Sequence, residues 1–111
     1  MITSPIMAFT RLASLDDLKP GAMLDVELPG GEGEDRLILI CNVEGQLHAM
    51  DGRCPHRGGP LGQGGLHGKM VVCPWHAWEF DCTTGQHDYN PALRQTLYAV
   101  RVEGRDVLVD I

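Results

Sequence analysis

Cys54-Pro55-His56-Arg57-Gly58-Gly59-Pro60-Leu61 and, after a glycine-rich spacer, Cys73-Pro74-Trp75-His76-Ala77-Trp78-Glu79-Phe80-Asp81 are the stretches that decide how this chain reads. The first box has C-x-H spacing and the second C-x-x-H, so each supplies one thiolate and one imidazole. Both lie among Gly58, Gly59, Pro60, Gly62, Gly64 and Gly65, where the backbone can turn sharply and come close to a bound group. Two metal chemistries accept this donor set. Zn²⁺ binds two Cys and two His tetrahedrally, but structural zinc sites usually pair Cys with Cys and His with His at short spacing. A [2Fe–2S] centre of mixed ligation puts two Cys on one iron and two His on the other, which suits boxes that each mix the two types.

On these motifs the sequence resembles the Rieske family, in particular the small soluble Rieske-type ferredoxins, from about residue 12 to the C-terminus. The resemblance implies one [2Fe–2S] cluster, with Cys54 and Cys73 on one iron and His56 and His76 on the other. It implies an all-β fold in a single domain over 1–111. An antiparallel β-sandwich or barrel base, about 12–51 and 83–111, would carry a loop-rich cluster-binding subdomain of about 52–82. It also implies a role as a cytoplasmic one-electron carrier that is not itself an enzyme. Such a carrier takes electrons from a flavin-dependent reductase and passes them to a Rieske non-haem iron oxygenase, as in aromatic-ring-hydroxylating systems. The alternative is an accessory subunit of a nitrite-reductase-type enzyme, whose small subunit has a related fold but often lacks the four ligands present here.

Three positions depart from the high-potential members of the family. Those members carry an extra Cys in each box, joined as a disulfide, where this chain has Gly59 and Trp75. They also place a Ser hydroxyl two residues beyond the last ligand, where this chain has Trp78. Ala77 stands where the family often has Gly. Loss of the disulfide and the hydroxyl points to a low-potential centre. Trp75 and Trp78 are expected to shield the cluster or pack against the base.

A chain of 111 residues can bury one core but not two. No stretch approaches the ~20 apolar residues of a membrane span, and the first fourteen residues lack the basic start and apolar centre of a secretory signal. Met7 opens a second plausible start, which would make 1–6 a leader. The net charge of −6 excludes a nucleic-acid partner, which needs a basic face. Between Gly52 and Trp78, however, Arg53, Arg57 and Lys69 stand with no acidic residue, so a basic tip is expected on an acidic body. There is no two-His-one-carboxylate metal motif and no nucleotide-binding glycine motif, so neither an oxygenase nor a reductase fits the content.

Strand-like runs at 23–28, 37–42, 46–51, 70–73, 79–82, 97–102 and 107–111 alternate with turns at 29–33, 44–45, 84–85 and 103–104, which predicts antiparallel pairing. Ser14 is placed to cap a short helical turn over 14–18. Cys41 and Cys82 read as buried small hydrophobes. His48 reads as a structural strand residue, and His67 and His87 as exposed loop residues.

Overall fold

The computed structural model describes residues 9–28, 36–55, 58–75, 78–90 and 92–111. The alternative start at Met7 and the turn expected at 29–33 lie outside them. The described chain forms β1 (Phe9–Ser14), β2 (Met23–Leu28), β3 (Arg36–Val43), β4 (Gln46–Asp51), β5 (Gly65–His67), β6 (Met70–Val72), β7 (Glu79–Asp81), β8 (Leu97–Tyr98), β9 (Val100–Glu103) and β10 (Asp106–Asp110). All pairings are antiparallel, in three sheets of order β1-β10-β9, β2-β3-β4-β8 and β5-β6-β7. Among the described residues no helix is long and apolar enough to cross a membrane.

The middle of the fold is β3, buried from Leu37 to Asn42. Side chains alternate across a strand, so its apolar run feeds two cores rather than one. Ile38 and Ile40 join Ala13, Leu18, Ala49, Val107 and Val109 on one side. Leu39 and Cys41 join Met50, Leu61, Val71 and Phe80 on the other, where both box cysteines lie. The four-stranded sheet is thus the shared wall between the β1-β10-β9 sheet and the β5-β6-β7 sheet, which carries box two.

Local chemistry sets the connections. Glu44 and Gly45 both have positive φ (52° and 94°) and close the two-residue β3–β4 hairpin, with Val43 opposite Gln46. Asn42, buried beside that turn, donates from Nδ2 to Leu18 O (2.6 Å) and accepts from the Gly45 N–H (2.7 Å). Ser14 caps a 3₁₀ turn over Leu15–Asp17, as its position predicts. Two strands were not expected, β1 and the short β5. The run at 97–102 is divided at Ala99: β8 pairs with β4, and β9 with β10. The Ala99 carbonyl accepts from the Asp110 N–H (3.0 Å), so one extended segment changes sheets at that residue.

Candidate metal centre

Box one grows from the end of β4. The Gly52 N–H donates to Leu37 O and the Leu61 N–H to Gly52 O, both at 2.8 Å, so the chain leaves and returns at one point. Inside the loop the Cys54 N–H donates to Gly59 O (2.8 Å) and the Gly58 N–H to Cys54 O (2.7 Å). Gly58, at φ 76°, takes the left-handed conformation this closure needs. Cys54 is 2% exposed.

Box two is the loop of the β6–β7 hairpin. Val72 pairs with Glu79, and the Cys73 N–H donates to Trp78 O at 2.7 Å. Cys73 is buried, while Pro74 and Trp75 form an exposed tip. Trp75 is half exposed with its ring over Gly59, and Trp78 is half-buried and packs against the core. The amides of Cys54 and Cys73 are both committed to carbonyls, and Pro55 and Pro74 have none. Any amide donor to the sulfurs must come from elsewhere in the loops.

The boxes meet at Gly59. A Cβ there would stand 3.0 Å from Trp75 Cδ2 and 3.2 Å from Cys73 Sγ. Gly59 thus touches box two while its carbonyl holds Cys54. Both cysteines lie buried in one apolar patch with Leu61, Val71 and Phe80. His56 and His76 lie outside the described residues. Among the described residues no three His, Cys, Asp or Glu side chains gather as a metal site. The described donors, two buried sulfurs from two touching loops, fit the thiolate half of an iron–sulfur centre.

A third stretch, described at 85–90 and 92–95, ties the boxes down and was not expected. Gln95 is buried, and its Nε2 donates to Asp51 O (3.0 Å) and Arg53 O (2.5 Å) at the base of box one. Its own N–H donates to Gly85 O (2.7 Å). A Cβ at Gly85 would fall 2.4 Å from Gln95 O, which explains the glycine. His87 corrects an expectation: it is 9% exposed, not an exposed loop residue. Its Nδ1 accepts from the Tyr89 and Asn90 N–H groups, both at 3.1 Å, so the ring proton sits on Nε2. The ring lies edge-on to Trp78 (4.7 Å) and Phe80 (5.2 Å), behind box two. Because these contacts depend on folding, only Gly85 left a trace in the sequence. His67 is exposed as expected, though it ends β5, and His48 is half-buried on β4.

The expected basic tip is partly neutralised. Lys69 Nζ lies 3.2 Å from Asp81 Oδ2. Burial pushes the Asp81 carboxyl up, but hydrogen bonds from the Thr83 hydroxyl and amide and from Lys69 outweigh it and hold the carboxyl below the usual range. Arg53 Nη1 donates weakly to Gly58 O (3.4 Å).

Known proteins match this arrangement along nearly the whole chain. The family model for the Rieske [2Fe-2S] domain matches residues 8–106. The ferredoxin component of biphenyl 2,3-dioxygenase from Rhodococcus jostii is 39% identical over 106 residues, covering 95% of this chain and 94% of that protein. A solved ferredoxin from Sphingomonas yanoikuyae B1 superposes with a TM-score of 0.79 at 27% identity, covering 94% and 99% of the two chains. A Mycobacterium tuberculosis protein assigned as a nitrite reductase small subunit (TM-score 0.77, 22% identity, covering 95% and 96%) shares the fold alone.

Proposed function

We propose, on the premise that this chain belongs to the Rieske [2Fe–2S] domain family, that it is a one-electron carrier working between a flavin-dependent reductase and a Rieske non-haem iron oxygenase in the cytoplasm. Its cofactor is one [2Fe–2S] cluster, and we assign Cys54, His56, Cys73 and His76 as the ligands. When bound, such a cluster supplies a one-electron couple whose potential the surrounding protein tunes. The residues of the chain do the rest. Burial keeps Cys54 and Cys73 out of water, the Gly59 contact holds the two loops together, and Trp75 offers an exposed apolar surface to an arriving partner. In this reading the boxes and the β5-β6-β7 sheet make a cluster-binding subdomain of about 52–82 on a base of about 12–51 and 83–111, with 85–95 folded back against it.

One observation carries the reading. Two separate loops each bury a thiol and meet at one glycine, whose carbonyl holds the Cys54 amide and whose Cα faces the Cys73 sulfur, in a chain similar over nearly its full length to a dioxygenase ferredoxin component. The test is anaerobic purification with iron and acid-labile sulfide analysis, followed by EPR of the reduced protein. We expect equal iron and sulfide and the signal of a mixed Cys/His centre, lost in Cys54→Ser and in His76→Ala. An unchanged signal in either variant removes that residue from the ligand set. For the partners, stopped-flow mixing of the reduced protein with an aromatic-ring oxygenase should oxidise it within turnover time, and absence of transfer overturns that assignment.

A further inference from the structure

Outside the boxes the chain has a second pair of thiols. Cys41 lies on β3 and Cys82 directly follows β7, and both are fully buried in the core patch that holds the box cysteines. Their side chains hydrogen-bond to each other, with the Cys41 S–H donating to the Cys82 sulfur. Read separately they are small hydrophobes; side by side they are two thiols within hydrogen-bonding reach of each other.

The surroundings give this pair a route to a reagent. Cys41 stands opposite His48 across β3 and β4, so both side chains rise from the same face of the sheet. His48 and Cys82 in turn line one cavity of about 150 Å³, together with Leu47, Leu97 and Tyr98. That volume exceeds the roughly 30 Å³ share of a water molecule several-fold, so a small oxidant fits. Part of its wall is β8, a two-residue edge strand paired only as Ala49↔Tyr98 and Met50↔Leu97. Short edge elements with few buried contacts are where local opening costs least.

We propose that Cys41 and Cys82 are a peroxide-oxidisable dithiol that closes to a disulfide between β3 and the end of β7, with the cavity beside β8 admitting the oxidant. Cys82 is the attacking sulfur. The Cys41 hydrogen bond lowers its thiol below the usual range and Lys69 acts the same way, against the opposing effects of burial and Asp81. The Cys41 thiol, donor in that bond and deeply buried, is pushed up. In the first step Cys82 attacks one peroxide oxygen, the O–O bond breaks, and sulfenic acid and one water form. In the second the Cys41 sulfur displaces that hydroxyl from Cys82, forming the S–S bond and a second water. Two thiols lose two electrons, the peroxide gains them, and both thiol protons leave in water. The product covalently ties a base strand to the hairpin that carries box two.

The experiment uses the cluster-loaded protein, treated anaerobically with stoichiometric hydrogen peroxide, then unfolded in N-ethylmaleimide and digested. Trypsin with Glu-C cuts after Arg36, Arg53, Arg57, Lys69, Glu79 and Arg94 and puts the four cysteines on separate peptides. We expect a Cys41–Cys82 linked pair, two hydrogens lighter than its separate thiol peptides, with Cys54 and Cys73 alkylated and the cluster absorbance retained before unfolding. Cys82→Ala should abolish the link and leave Cys41 alkylated; Cys41→Ala serves as the second variant. Full alkylation of Cys41 and Cys82 after peroxide, or links made instead to Cys54 or Cys73, overturns the proposal. The wild-type arm decides even if a variant fails to fold. The cluster assignment stands or falls separately, on iron and EPR.

Discussion

At Gly59 the two boxes are separated by the space of a single hydrogen atom. An added methyl would meet Trp75 at 3.0 Å and the Cys73 sulfur at 3.2 Å, tighter than nearly all real contacts of that kind. Trp75, exposed at the tip, can yield, but a sulfur committed to a metal cannot follow it. Gly59→Ala should therefore fold yet release iron faster than wild type under a chelator. Equal release rates would show that the contact relaxes without cost. Asp81 is the second decisive residue. Its carboxyl, depressed by Thr83 and Lys69 after burial has worked the other way, binds a proton more weakly folded than unfolded. Its contribution is thus complete above the unfolded value of 3.8 and is lost as pH falls below it. Denaturant unfolding at pH 7, 4 and 3 should show wild type weakening in that acid window more steeply than Asp81→Asn. Parallel slopes would contradict the sign.

Among the elements, the 85–95 segment is the clasp of the site. Its Gln95 amide serves two carbonyls at the root of box one, and its His87 ring backs Trp78 of box two. Gln95→Leu removes two bonds to partly buried carbonyls, each contributing about 0.5–1.5 kcal/mol. We expect a loss of that size in unfolding free energy with the oxidised cluster still bound, and a near-neutral effect would make the two bonds incidental. The boxes themselves set the redox level. Gly59 and Trp75 cannot form a bracing disulfide, and the indole of Trp78, T-packed on His87, cannot give a hydroxyl bond to a sulfide. Fewer donors stabilise an added electron less. Protein-film voltammetry near neutral pH should give a midpoint of roughly −150 mV, at the bottom of the Rieske range. A value clearly above zero would reject this account of the surroundings.

For the whole molecule the question is charge. All fifteen acidic residues lie outside the 52–78 span, but Asp81 reaches back to Lys69, so that lysine is already paired. Arg57 lies outside the described residues; among those described, Arg53 is exposed and its guanidinium makes a long bond to a carbonyl, so it is better placed for steering than Lys69. Arg53→Glu should slow electron transfer to the acceptor at low salt, with the difference shrinking as ionic strength rises. Lys69→Glu should act chiefly on stability by breaking the Asp81 pair. Equal transfer rates for wild type and Arg53→Glu at low salt would remove charge steering at this end.

The family, β2 and β4 to the residue, the Glu44-Gly45 turn and the Ser14 cap could all be read from the chain itself. Each rests on residue type, short spacing or local backbone preference, which neighbouring residues carry between them. The burial of His87, the Gln95 clasp, the Cys41–Cys82 contact and the change of sheet at Ala99 could not. These join residues far apart in sequence, and a polar side chain such as Gln95 reads as solvated until folding places carbonyls in its reach. The unbroken apolar run of β3 shows the division most clearly. Its composition announced a buried strand, but only the packing of a different sheet on each face put Ile38 and Ile40 in the core with Val107 and Val109, and Leu39 and Cys41 in the core with the box cysteines.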